Sequence, residues 1–152
     1  MRRHKSLHPL SHQHHNGLAL CVLIERGLAR DSSDANIQRL AAKCADRFDL
    51  ELVNHFELEE QDLFSAILSE LGPNAQVDAL VAEHRRMEQQ IAQLRVEPTI
   101  ERLQAFGALL RAHIRSEENE LFESVQDRLS DATMQRLGDT FEARAVRVCL
   151  EP

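Results

Sequence analysis

A ten-residue pattern that occurs twice constrains this chain more than any other feature. The segments His55–Phe64 and His113–Phe122 both read His-x-x-x-Glu-Glu-x-acid-Leu-Phe, at a constant spacing of 58 residues. Around them the same spacing pairs Phe48 with Phe106, Leu52 with Leu110 and Leu71 with Leu129. Apolar residues alone match loosely whenever two helices are aligned. Here an uncommon residue, histidine, matches together with its carboxylates.

Side chains four apart on a helix lie about 40° apart around its axis and share a face. His55 therefore points with Glu59, and His113 with Glu117. Phe48 and Leu52, seven and three residues before His55, put that face toward the core. A carboxylate in an apolar core is costly without a partner. Neither helix offers a lysine or arginine at a matching inward position. A bound cation is the economical way to keep Glu59 and Glu117 inside. A third inward histidine, His84, lies within the apolar stripe Val77, Leu80, Val81, Met87, Ile91 and Leu94. The first helix supplies a fourth. His14 lies near the centre of the apolar face set by Leu7, Leu10, Leu18, Cys21, Val22 and Leu28, and a shift of 70 residues pairs it with His84. His15, about 100° away, is the alternative, because Leu18 and Val22 follow it at three and seven residues. One such histidine is ordinarily a satisfied core residue. Four, two of them paired to a glutamate at the fourth position in a repeat, point to a metal site. Imidazole with carboxylate suits iron, manganese or zinc, and two carboxylates in an all-helical setting favour two ions, one per half. Glu60, Glu118, Asp62 and Glu120 read as solvated acids or outer supports. Phe64 and Phe122 read as core residues that also wall the pocket.

Composition removes other classes. The 152 residues carry a net charge of -7, unlike a dedicated binder of nucleic acid or anionic membrane. No apolar run approaches the roughly 18 residues a bilayer span requires. The N-terminus is basic, but His8, His12, His14 and His15 interrupt any signal-peptide core. Three scattered cysteines, Cys21, Cys44 and Cys149, fit free thiols in a reducing cytoplasm. No nucleophile elbow, phosphate loop, dinucleotide fingerprint or Glu-x-x-His segment occurs. The absence of tyrosine excludes tyrosyl-radical chemistry.

Punctuation divides the chain into helices. The first is expected from just after Ser11 to about Arg30, with His4, His8 and His12 as surface residues of a frayed N-terminus. Asp31-Ser32-Ser33-Asp34 forms a capping turn, and a second helix runs from about Asp34 to Glu70, stopped by Gly72-Pro73. Asn74 caps a third, to about Arg95; Thr99 caps a fourth, to about Leu129; Ser130 caps a short fifth over about 131–145. The expected fold is all-α: one domain over 1–152, an up-down-up-down four-helix bundle (core about 10–130) with a short C-terminal helix.

With these residues in place, the sequence resembles the hemerythrin-like, or HHE cation-binding, family. The resemblance rests on Leu10-Ser11-His12-Gln13-His14-His15, His55-Phe56-x-x-Glu59-Glu60, Glu83-His84 and His113-Ile114-x-x-Glu117-Glu118. It implies a four-helix bundle around a non-haem di-iron centre that binds or senses oxygen, nitric oxide or iron. Oxygen-carrying members place two histidines four apart on the third helix; here those positions around His84 are Leu80 and Glu88. One nitrogen ligand is thus missing or replaced, which favours iron or redox sensing over oxygen carriage. Those members also carry the last carboxylate five residues after its histidine, at Glu118. The repeat favours Glu117, because Glu118 stands about 140° around the helix from His113. The leading expectation is a cytoplasmic metal-binding protein with two iron ions and a small diatomic ligand, and no nucleic-acid or membrane partner. A di-iron oxidase or peroxidase and a metal-free partner-binding bundle are the alternatives.

Overall fold

A computed structural model describes residues 2–148, and every regular element among them is helical. Cys149 lies outside the described residues; Cys21 and Cys44 are free and buried. After a 3-10 turn, Lys5–Leu7, α1 is His8–Arg30. α2 is continuous over 34–71: α-helical Asp34–Arg47, Val53–Leu58 and Phe64–Leu71 are joined by π turns at Phe48–Leu52 and Glu59–Leu63. α3 is Ala75–Val96. α4 covers 100–125, with a π turn at Glu117–Leu121 between Ile100–Ser116 and Phe122–Val125. α5 is Asp131–Arg144. No helix is long and apolar enough to cross a membrane.

Local chemistry sets these boundaries. Ser33, Asn74, Thr99 and Ser130 each accept a hydrogen bond from the backbone N–H three residues on, at 3.3, 3.0, 3.1 and 3.2 Å, satisfying donors the helix cannot. Gly72 ends α2 at φ +90°, a conformation other residues rarely adopt, and Pro73 blocks continuation. Two expectations need correction. The N-terminal segment is not frayed, and α1 starts at His8 rather than just after Ser11. The ring Nδ1 of His4 accepts from Ser6 N–H at 3.1 Å, Ser6 and Leu7 are buried, and Pro9 sits in the first turn of α1, where it costs no hydrogen bond. Helix α4 ends at Val125 rather than near Leu129. There Arg128 N–H bonds to Val125 C=O at 3.0 Å, tightening the chain into a turn, while Gln126 is drawn to Arg2, Arg3 and His4.

Two apolar clusters fill the interior. One gathers Leu20, Cys21, Ile24, Leu40, Phe48, Phe56, Met87, Ile91, Phe106 and Leu110 with their neighbours. The other gathers Leu7, Leu10, Leu58, Leu63, Phe64, Val77, Leu80, Leu121, Phe122 and Phe141. Along α1 through α4 the inward histidines fall where one cluster gives way to the other, so a polar layer crosses the core. Helices α1 and α4 touch closely there. A β-carbon on Gly17 would sit 2.8 Å from Ile114 Cδ1, so a larger residue there would force the Ile114 side chain to shift.

Candidate metal centre

The polar layer holds His14 from α1, His55 and Glu59 from α2, His84 from α3, and His113 and Glu117 from α4, all buried. They form two groups, His14–His55–Glu59–Glu117 and Glu59–His84–His113–Glu117, whose ligand atoms lie within 4.8 Å of one another. Glu59 and Glu117 belong to both. One Glu59 oxygen lies 3.0 Å from His55 Nε2 and 3.3 Å from His84 Nε2. Glu117 offers one oxygen to His113 Nε2 at 2.7 Å and the other to His14 Nε2 at 3.1 Å. Each carboxylate thus spans both groups.

His15, the alternative on α1, is exposed and stands outside both groups; the centre of the apolar face carries His14 inward instead. Glu118 is also outside, and the angle explains its place. It points past the centre to α1, where it lies 2.9 Å from His14 Nδ1. Asp62 pairs with Arg144 at 3.2 Å and Glu120 accepts from Gln76 at 3.1 Å, both away from the layer. Leu80, one turn before His84, is buried in the apolar cluster.

Spacing offered Glu60 and Glu118 as outer supports but not the histidines they serve. His55 Nδ1 meets Gln13 Oε1, His84 Nδ1 meets Glu60, and His113 Nδ1 meets Glu83, each at 2.8 Å. With the His14–Glu118 contact, every inward histidine has an acceptor on a neighbouring helix. Carboxylate and amide oxygens accept only, so each Nδ1 carries a proton and Nε2 is turned to the centre. The signal lay in the repeat itself. Glu60 and Glu118 share the spacing of 58, Gln13 and Glu83 the spacing of 70 that relates His14 to His84. The supports obey the same pseudo-twofold relation as the histidines. The aromatic walls follow it too. Phe64 stacks on His84 with centroids 5.9 Å apart, and Phe122 on His14 at 5.4 Å.

The electrostatics describe a site whose donor atoms suit a cation. His14 and His55 Nε2 and all four oxygens of Glu59 and Glu117 are buried without a hydrogen-bond partner, despite their short separations. The Nε2 atoms of His84 and His113 face each other at 3.2 Å. Burial and the adjacent Glu117 charge push the Glu59 carboxyl well above its usual range. Burial works upward on Glu117 also, but Glu59, His113 and His14 hold it well below. Two carboxylates this close do not both ionise unless a cation lies between them. Burial works to lower His14, yet Glu117 and Glu118 on either side raise it to about 9. Burial, aided by His113, depresses His84 to about 3, and burial also keeps His55 well below its ordinary value. Converging imidazoles and shared carboxylates with orphaned donor atoms fit a pair of borderline divalent metals.

Comparison with known families settles the lineage. The profile of the hemerythrin HHE cation binding domain matches residues 6–125. The chain belongs to that family. A search of curated proteins and one of solved structures give no match. The matched span of this hemerythrin-domain chain holds all six layer residues and all four supports, and it ends before α5. A hemerythrin domain implies a metal cofactor, and the two groups described above can hold one.

Proposed function

We propose that this chain is a non-haem di-iron protein that binds or senses oxygen, nitric oxide or iron. In this reading α1–α4 run up-down-up-down around the centre, as the short connections favour, and the protein works in the cytoplasm. His14, His55, Glu59 and Glu117 hold one ion; His84, His113, Glu59 and Glu117 hold the other. Manganese and zinc suit the same donors. The observation that carries the reading is the pair of four-residue groups sharing two carboxylates whose oxygens have no other partner.

Iron, when bound, supplies redox chemistry and affinity for a diatomic molecule. The protein's own part is orientation and dryness. Four Nδ1–H groups are anchored to acceptors, which turns every Nε2 inward and fixes its lone pair. Phe56, stacked on His84 at 3.9 Å, with Phe64 and Phe122, excludes water from the layer.

The test is iron(II) titration without oxygen, followed by spectra on admitting oxygen or nitric oxide. The parent is expected to take up two ions and to develop a persistent ligand-to-metal absorption. His55→Ala and His113→Ala are each expected to lose one ion. Unchanged uptake by both variants would sink the assignment, and sustained consumption of peroxide would turn it toward catalysis.

A further inference from the structure

Two of the three outer carboxylates, Glu60 and Glu118, are each held by an arginine, but the two arginines come from unrelated places. Arg85, next to His84 on α3, binds Glu60, which supports His84. By the spacing of 70 its counterpart on α1 is His15, which is exposed and does no such thing. Arg3 does it instead, from the segment before α1. Its guanidinium lies 3.1 Å from a Glu118 carboxylate oxygen and also donates to the Glu118 backbone carbonyl. It lies 3.4 Å from Glu123 and 5.3 Å from the centroid of Phe122, the ring stacked on His14.

The segment is fastened well enough to hold that position. Gln126 accepts from Arg3 at 3.2 Å and from His4 N–H at 3.0 Å, and it donates to Arg2 C=O at 3.1 Å. Ser6 packs so tightly on α5 that a β-carbon at Gly138 would sit 2.7 Å from its hydroxyl. Two carboxylates, Glu118 and Glu123, converge on this one guanidinium, whose planar fork engages several acceptors in fixed directions. A guanidinium removed from this point frees the Glu118 side chain to turn to solvent, and His14 Nδ1 loses its anchor.

We propose that Arg3 is a positioning residue of the metal centre: through Glu118 it fixes the His14 imidazole, making the N-terminal segment a working part of the site. The proposal rests on the metal-centre reading above. Outer partners of ligating histidines are typically worth about 10–100-fold in metal affinity. Arg3→Ala is therefore expected to weaken one of the two ions about tenfold and leave the other unchanged.

Zinc titration of the full chain against a competing chelator, read as two stepwise constants, tests this. Arg3→Lys keeps the charge but not the fork and is expected to recover part of the loss. In a His14→Ala background Arg3→Ala is expected to add nothing, whereas in a His84→Ala background it still weakens the remaining ion. A general loosening of the fold would act in both backgrounds. A parent chain that binds two zinc ions with an Arg3→Ala variant that keeps both constants overturns the role of Arg3 alone. A parent that binds no zinc overturns the metal-centre reading, and the role of Arg3 with it.

Discussion

The two halves of the polar layer are built from one plan and finished differently. Half one, His14 with His55, lies under the chain's own ends. Arg3 covers Glu118. Gln13, fully enclosed, donates at 3.1 Å to Val146 C=O and at 3.0 Å to Asn54, whose oxygen also takes Val146 N–H at 2.9 Å. In half two, His84 with His113, the arginine on the support comes from within the bundle: Arg85 of α3 holds Glu60. The supports of this half are both carboxylates, Glu60 and Glu83, with side chains 26% and 30% exposed. Where half one has Gln13, half two has Glu83; where half two stacks Phe56 on His84, half one has Ile114 against Gly17. Repetition supplied the ligands twice, and the surroundings made them unequal. A carboxylate draws the imidazole proton more strongly than an amide does, so His113, on Glu83, has a stronger acceptor than its counterpart His55, on Gln13.

The largest expected effect erases the comparison altogether. Glu59 serves both groups, so Glu59→Ala should leave neither ion bound through gel filtration, as metal analysis of the eluted protein will record. Acidity comes next. The metal must displace the proton that neighbouring carboxylates hold on His14, raised to about 9, and the one on His113, also raised. Lowering pH opposes that release, so zinc affinity should fall with pH below 9, by about tenfold per pH unit for each proton displaced. Titrations between pH 6.5 and 8.5, with proton release measured in weak buffer, would show this; a flat profile breaks the account. Glu83→Gln makes half two resemble half one. It should weaken the ion at His113 by about tenfold and leave the other constant alone. Phe56→Ile copies the residue of the other repeat and removes the ring on His84. About 1 kcal/mol of unfolding free energy should be lost, read from chemical denaturation of the metal-free chain.

Much of this was legible in the sequence because helices report their own faces. The helical wheel favoured His14 over His15 without excluding it, and the repeat favoured Glu117 over Glu118. Cap residues located four helix starts. Features that depend on a neighbouring helix were not legible. Nothing in the spacing of α4 says that Glu118 ends beside His14, or that Gln13 faces His55. Arg3 finds its partners more than a hundred residues away, so a short basic terminus read as loose. The π turns have no compositional mark. Two of the three begin at Glu59 and Glu117, the second members of the i,i+4 pairs that the α-helical reading required. Such turns are frequent at functional sites.

The polar layer also bears on how the protein holds together as one unit. Six buried polar side chains stand between the two apolar clusters, so hydrophobic contact does not run unbroken from one end of the molecule to the other. Without a cation, the ends communicate mainly through the helix backbones that cross the layer. An ion pair gripped by all four long helices would rivet the ends together, turning two loosely linked cores into a single cooperative one. In that light the metal centre is a matter of mechanical integrity as much as of ligand chemistry.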